Sequence, residues 1–313
     1  MSRVGLGIIG LGFIFNEYFK VISKINDFKI IGVLTKSNNK SRRFVENNKQ
    51  IKIYNNIEKM MLDKKISGVL VLVNAEETFN VLKEIIPYKK FIFTEKPVGI
   101  NYNETKILRN LFQKYKTPNM IGFNRRFYSI FNKGLKIINS KGGINSILIE
   151  GHERFWKIDK ERNKRLLDNW IYANSAHTID LLRFFGGEYK TIYSLKKTIK
   201  HKKGDHFSMI LKSNKNIIST YISNWYSPGG WSVKLFGNGI TIIFDPLEKG
   251  YVIDKNFKIS NIEASKSDII FKPGFYAQMK NFKLFIETGK LTWPAQDIND
   301  AFKTVTLIKK ILQ

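Results

Sequence analysis

The first 123 residues alternate between short β-branched runs and helix-period segments, and this alternation limits the fold more than any other feature. The strand-like runs fall at residues 4–9, 29–34, 51–54, 68–73, 91–94 and 119–123. Helical patterns fill the gaps at 13–25, 39–48, 57–63, 76–86 and 102–116. Apolar strands alternating with amphipathic helices predict a parallel sheet buried by helices on both faces. Past residue 124 the pattern changes. A helix at 129–139 and a strand at 146–154 lead into a basic loop and a helix at 175–185. Strand-like runs at 191–197, 207–212, 217–225, 231–236 and 240–244 then follow with turn signals between them, which predicts an antiparallel sheet. Two amphipathic helices, "PGFYAQMKNFKLFIETGK" and "PAQDINDAFKTVTLIKKIL", close the chain.

The expected fold class is therefore α/β, with a Rossmann dinucleotide-binding domain over 1–122 and an α/β domain over 123–313. The second carries a large, open, mostly antiparallel sheet, with room for the C-terminal helix to pack back on the first domain. A length of 313 residues suits two domains, and 43% hydrophobic content is enough for two cores. No apolar run reaches the ~18 residues of a membrane helix. The N-terminus shows no secretory cleavage pattern, and with no cysteine the cytoplasm is the expected compartment.

Lys and Arg number 53 against 26 Asp and Glu, a net charge of +27. Only 10 of the 53 are Arg, and Lys is spread along the chain among Asn and Ile rather than gathered in a groove. No nucleic acid is expected as partner; the field instead favours small anionic ligands. The four His residues show no repeated ligand spacing, so no metal is expected.

"GIIGLGFIF" places Gly10 and Gly12 between the first strand and the first helix. In a dinucleotide loop the first such glycine makes the turn, and the second lets backbone N–H groups approach a pyrophosphate at the helix N-terminus. Phe15 stands where the third glycine of the fingerprint belongs. Phe13 and Ile14 open the helix. The second strand ends in Thr35, Lys36 and Ser37, with Arg42 beyond and no acid. Hydroxyls and cations there suit a 2′-phosphate, so NADP(H) is favoured and NAD(H) remains open. Asn74 follows the fourth strand, and Glu95-Lys96-Pro97 ends the fifth, at the carboxyl edge where open α/β sheets bind ligands. Lys96 either works there or caps the strand as the ion partner of Glu95. The Lys96–Pro97 peptide is expected to be cis.

These residues, with "GFNRRF" at 122–127 and "AHTIDLLRFFGG" at 176–187, resemble the Gfo/Idh/MocA oxidoreductases, the glucose–fructose oxidoreductase and inositol dehydrogenase group, over nearly the whole chain. The resemblance implies hydride transfer between a nicotinamide cofactor and a hydroxyl or carbonyl of a sugar derivative, and a place in surface-polysaccharide synthesis. It implies Lys96 as the catalytic or substrate-binding lysine and His177 as the active-site histidine. It also implies a homo-oligomer, a dimer or tetramer paired through the open sheet. The sequence departs from the family at Ala173, where relatives place Asp; Asn174, Tyr172 or Asp168 are the candidates to replace it, or activity is impaired. Asp180, one turn after His177, is placed either to orient the imidazole or to form a cap or ion pair. Asn124 and Arg126 lie near the cofactor edge. Arg154, Trp156, Lys157, Arg162, Arg165 and Trp170 precede the His177 helix, a cationic and aromatic set that suits an anionic sugar.

Overall fold

In the computed structural model, residues 3–25, 27–36, 38–158 and 163–313 are described. The chain forms two compact units, Met1–Asn124 with Gly274–Lys303, and Arg125–Pro273 with Thr304–Gln313. The first unit thus takes in a segment from late in the chain.

The first unit alternates β1 (Val4–Ile9), α1 (Phe13–Ile22), β2 (Phe28–Leu34), α2 (Asn38–Glu46), β3 (Lys52–Ile53) and α3 (Ile57–Leu62). It continues with β4 (Gly68–Val71), α4 (Ala75–Ile85), β5 (Phe91–Glu95), α5 (Tyr102–Tyr115) and β6 (Asn119–Gly122). All strands are parallel, in the order β3-β2-β1-β4-β5-β6, so the chain reverses direction across the sheet between β1 and β4. That is the Rossmann order, and it opens a crevice at the carboxyl ends of β1 and β4. β1 and β4 are buried along their whole length, which is why they read as unbroken apolar runs. The missing third glycine has a local reason. Phe15 is buried and its ring meets Phe19 at 5.6 Å and Phe44 of α2 at 5.1 Å, so an aromatic cluster fills the α1–α2 space.

The second unit begins with α6 (Ser129–Asn139), β7 (Ser146–Gly151), α7 (Lys164–Leu167) and α8 (Ala176–Gly186). Seven strands follow: β8 (Tyr189–Lys197), β9 (His206–Ser213), β10 (Ile218–Asn224), β11 (Trp231–Gly237), β12 (Ile240–Phe244), β13 (Gly250–Asp254) and β14 (Ile259–Ile262). A short helix, α9 (Lys266–Ile270), ends this stretch. The eight strands form one sheet in the order β14-β13-β12-β11-β7-β10-β9-β8. Every pairing is antiparallel except β7 with β10. Phe207, Met209 and Leu211 alternate inward along β9, while Ile210 on the opposite face is 57% exposed. Phe131 of α6, Phe185 of α8 and Phe244 of β12 meet with ring centroids 4.7 to 6.1 Å apart and centre the core.

α10 (Phe275–Thr288) belongs to the first unit, where Phe275 meets Tyr18 of α1 at 4.6 Å and Phe282 meets Phe93 of β5 at 5.6 Å. α11 (Ile298–Leu312) closes the chain. Among the described residues no helix is long and apolar enough to cross a membrane.

Candidate active site

A cavity of about 490 Å³ lies at the carboxyl ends of β1, β2 and β4. Gly10, Gly12, Thr35, Lys36 and Asn74, five of the residues singled out in the sequence, line it together. Gly10 has φ +97°, and a Cβ there would sit 2.7 Å from the Leu72 carbonyl oxygen, so both conformation and space require glycine. Gly12 is the reverse case. Its backbone is ordinary, and a Cβ would meet nothing closer than 4.0 Å. Gly12 is the N-cap of α1, no side chain caps that helix, and its first turn has no acid. Open space above an uncapped, positively polarised helix N-terminus fits a dinucleotide pyrophosphate. The wall opposite is α4, which contributes Glu76, Glu77, Asn80 and Glu84. Phe13, Ile14 and Arg42 lie outside the cavity lining, and Phe13 is 82% exposed. Ser37 is outside the described residues.

β5 ends at Glu95; Glu95 and the next residue, Lys96, are half-buried, and the Lys96–Pro97 peptide is cis. The Glu95 carboxylate is anchored from both sides. Its Oε1 accepts from the Tyr18 hydroxyl of α1, and its Oε2 accepts from the Lys96 backbone N–H at 3.2 Å. Tyr18 is fully buried; burial first, then the nearby Glu95 charge, raises its phenol well above the usual range. Sequence reading had no signal for Tyr18, which lies 77 residues from Glu95. Asn124 is buried in the turn after β6.

In the second unit, a π-helical turn, Ile171–Ser175, leads straight into α8. The helical conformation therefore starts earlier than the residue 175 expected from sequence. π turns commonly mark functional segments. Ala173 and Tyr172 are buried in this turn. Asn174 Nδ2 donates to Glu153 Oε2 at 2.7 Å, and the Ser175 hydroxyl donates to Glu153 Oε1 at 2.7 Å. Glu153 is a carboxylate only 3% exposed, and it fastens the turn that precedes His177. The acid missing at position 173 thus has a carboxylate nearby from another part of the chain. His177 is buried on the first turn of α8, its ring 6.0 Å from Trp231, and the Arg125 guanidinium lies 4.4 Å from the same indole.

Asp180 lies in a buried network of its own charge partners. Arg126 binds it through two parallel bonds, Nε to Oδ2 at 2.7 Å and Nη2 to Oδ1 at 2.8 Å. The Thr304 hydroxyl donates to Asp180 Oδ1 at 2.7 Å, and Arg183 Nη1 donates to the Thr304 hydroxyl. Arg126 and Asp180 therefore form a buried, doubly hydrogen-bonded ion pair. Asp168 sits at the surface on Lys164 at 3.1 Å. Arg154 is exposed, its Nε donating to the Gly229 carbonyl at 3.3 Å, and Trp156 is 43% exposed. Trp170 is buried edge-on to Phe155, and Arg162 lies outside the described residues. Among the described residues no three His, Asp or Glu side chains are grouped to hold a metal ion.

The class follows from the sheet order and the cleft together. Residues 4–123 match the Gfo/Idh/MocA family model, described as the oxidoreductase family with NAD-binding Rossmann fold. The chain is 28% identical over 195 residues to the uncharacterized oxidoreductase YrbE of Bacillus subtilis, covering 62% of this chain and 57% of that protein. It is 26% identical over 146 residues to the glucose-6-phosphate 3-dehydrogenase of the same organism, covering 46% of this chain and 41% of that protein. The matched stretches thus span about half the length of these curated relatives. A solved structure of a dehydrogenase (MviM) from Clostridium difficile has the same fold, with a TM-score of 0.83, 20% identity and 99% of each chain covered.

Proposed function

We propose that this chain is an NAD(P)-dependent oxidoreductase acting on a secondary hydroxyl or carbonyl of a sugar derivative. The observation that carries this reading is the cleft at the β1–β4 crossover, with its obligate Gly10 and the open space over Gly12 at an uncapped helix. Gly10 and Gly12 would hold the pyrophosphate, Thr35 and Lys36 the adenosine ribose, and Asn74 the segment toward the nicotinamide. When bound, the cofactor supplies a hydride acceptor or donor.

The chain's own work is proton handling and positioning. Lys96 stands on a rigid strand end whose neighbouring carboxylate is already held by Tyr18. In this reading it binds the reacting oxygen and takes up or returns its proton. His177, held on a helix start that Glu153 secures, is the second proton carrier. Arg126 belongs to the scaffold. Arg154 and Trp156 are the exposed pair suited to an anionic sugar, and the relative named as acting on glucose 6-phosphate supports that substrate class. For Lys36 the reading favours NADP(H) over NAD(H). Tyr193, Leu195, Ile210 and Ile218, all more than half exposed on one sheet face, support self-association through that face.

The decisive experiment pairs Lys96→Met with a panel of sugar phosphates and nucleotide sugars. The variant is expected to keep its melting temperature and its NADPH affinity while turnover falls about 10²-fold or more. His177→Asn should act in the same direction, with a double variant less than additive. A Lys96→Met protein that melts earlier but turns over normally would make the lysine a strand cap.

A further inference from the structure

β2 ends without an acid, with Thr35 and Lys36 in the place where NAD sites carry one. The fold supplies the acid from a distant part of the sequence. Glu77, in the first turn of α4, forms an ion pair with Lys36, its Oε1 accepting from Nζ. Both side chains line the cavity that contains Gly10, Gly12 and Asn74. The Lys36 side chain is 84% exposed and that of Glu77 35%, so a ligand entering the cleft meets both charges. An ion pair this exposed adds little to stability. Its consequence falls on what binds. Glu76 lies in the same helical turn and lines the same cavity, yet the bond to Lys36 is made by Glu77.

We propose that Glu77 is a specificity-determining residue of this cleft, narrowing the preference for NADP(H) that Lys36 alone would give. The inference rests on the cleft being a dinucleotide site. A 2′-phosphate recruits Lys36 through charge-assisted hydrogen bonds, but Lys36 must then loosen from Glu77. The phosphate is also left beside a carboxylate of like sign, which weakens its binding. A ribose with a free 2′-hydroxyl meets no such repulsion and donates a hydrogen bond to the carboxylate, as it does where the acid stands on the strand itself.

The test is direct titration of the full chain with NADPH and NADH, read by intrinsic fluorescence, in wild type, Glu77→Gln, Glu76→Gln, Lys36→Met and the Lys36→Met/Glu77→Gln double variant. Glu77→Gln should tighten NADPH by about tenfold or more, the scale of one charged hydrogen bond, and leave NADH unchanged or weaker. Lys36→Met should weaken NADPH, and the gain from Glu77→Gln should shrink in the double variant. An unchanged NADPH-to-NADH ratio in Glu77→Gln would overturn the role of Glu77, and so would an equal gain from Glu76→Gln. If wild type binds neither dinucleotide, the cleft reading fails and this inference fails with it. Binding of both with no change of ratio removes only Glu77.

Discussion

The glycine cleft of the first unit and the polar core of the second are built on opposite plans. The cleft is made of backbone: a glycine at positive φ, a second glycine under open space, and strand ends that must lie side by side once the sheet order is set. The polar core is made of side chains. Glu153 holds Asn174 and Ser175, and Asp180 joins Arg126, 54 residues earlier, to Thr304, 124 residues later. A backbone site tolerates change in most side chains around it but fails at one or two glycines. A side-chain site has many partners, and removing one leaves the others buried and unsatisfied.

The largest effect should therefore come from the second unit. Asp180→Ala removes the bidentate carboxylate bound by the buried Arg126 guanidinium, while Arg183 keeps Glu188, and should cost about 3–5 kcal/mol of stability. Chemical denaturation checks it. A loss below about 1 kcal/mol would mean that water or another acid replaces Asp180, and the contrast between the two plans would weaken.

The cleft offers a sharper split between two glycines. Gly12→Thr keeps a competent N-cap and places its Cβ where nothing stands closer than 4.0 Å, so the melting temperature should stay near wild type. Dinucleotide affinity should fall about tenfold or more, because the added atoms occupy the pyrophosphate space. Gly10→Ala should behave differently and destabilise the fold by about 1–3 kcal/mol, through its φ of +97° and the contact with Leu72. Calorimetry beside fluorescence titration separates the two, and equal melting of both variants would break the argument.

The smallest effect is a pH dependence in the second unit. Burial alone would raise the Asp205 carboxyl, but the backbone N–H groups of Lys200, His201 and Ile199 and the His206 ring outweigh it and bring the pKa to about 2, from an ordinary 3.8. A carboxyl depressed in the folded state contributes stability that is complete above its unfolded value and is lost as pH falls toward the folded one. The contribution of Asp205 should thus be full above about pH 4 and fade toward pH 2. Asp205→Asn should melt below wild type at pH 6, and the gap should close on acidification through that window. A gap that stays constant would assign the effect to packing.

The sequence alone determined the parallel sheet and the crevice at its edge. β1 runs over the residues expected, and β2, β4, β5 and β6 end within two residues of expectation, because buried parallel strands are continuous apolar runs and period decides them. Gly10, Gly12, Thr35, Lys36 and Asn74 could be placed together because strand ends in such a sheet converge whatever the side chains are. β13, β14 and α9 were missed because they are short and mostly unburied, so no apolar run marks them. Tertiary structure alone decided what surrounds the charges. Phe15, where the fingerprint has a glycine, packs against Phe44 of α2. The acid absent from the end of β2 came from α4 as Glu77, and a carboxylate next to Ala173 came from beyond β7 as Glu153. Asp180 found an ion-pair partner in Arg126, 54 residues away. Hydrogen bonds and ion pairs act over about 3–4 Å and carry no period along the chain, so their partners become known only when the fold brings distant segments into contact.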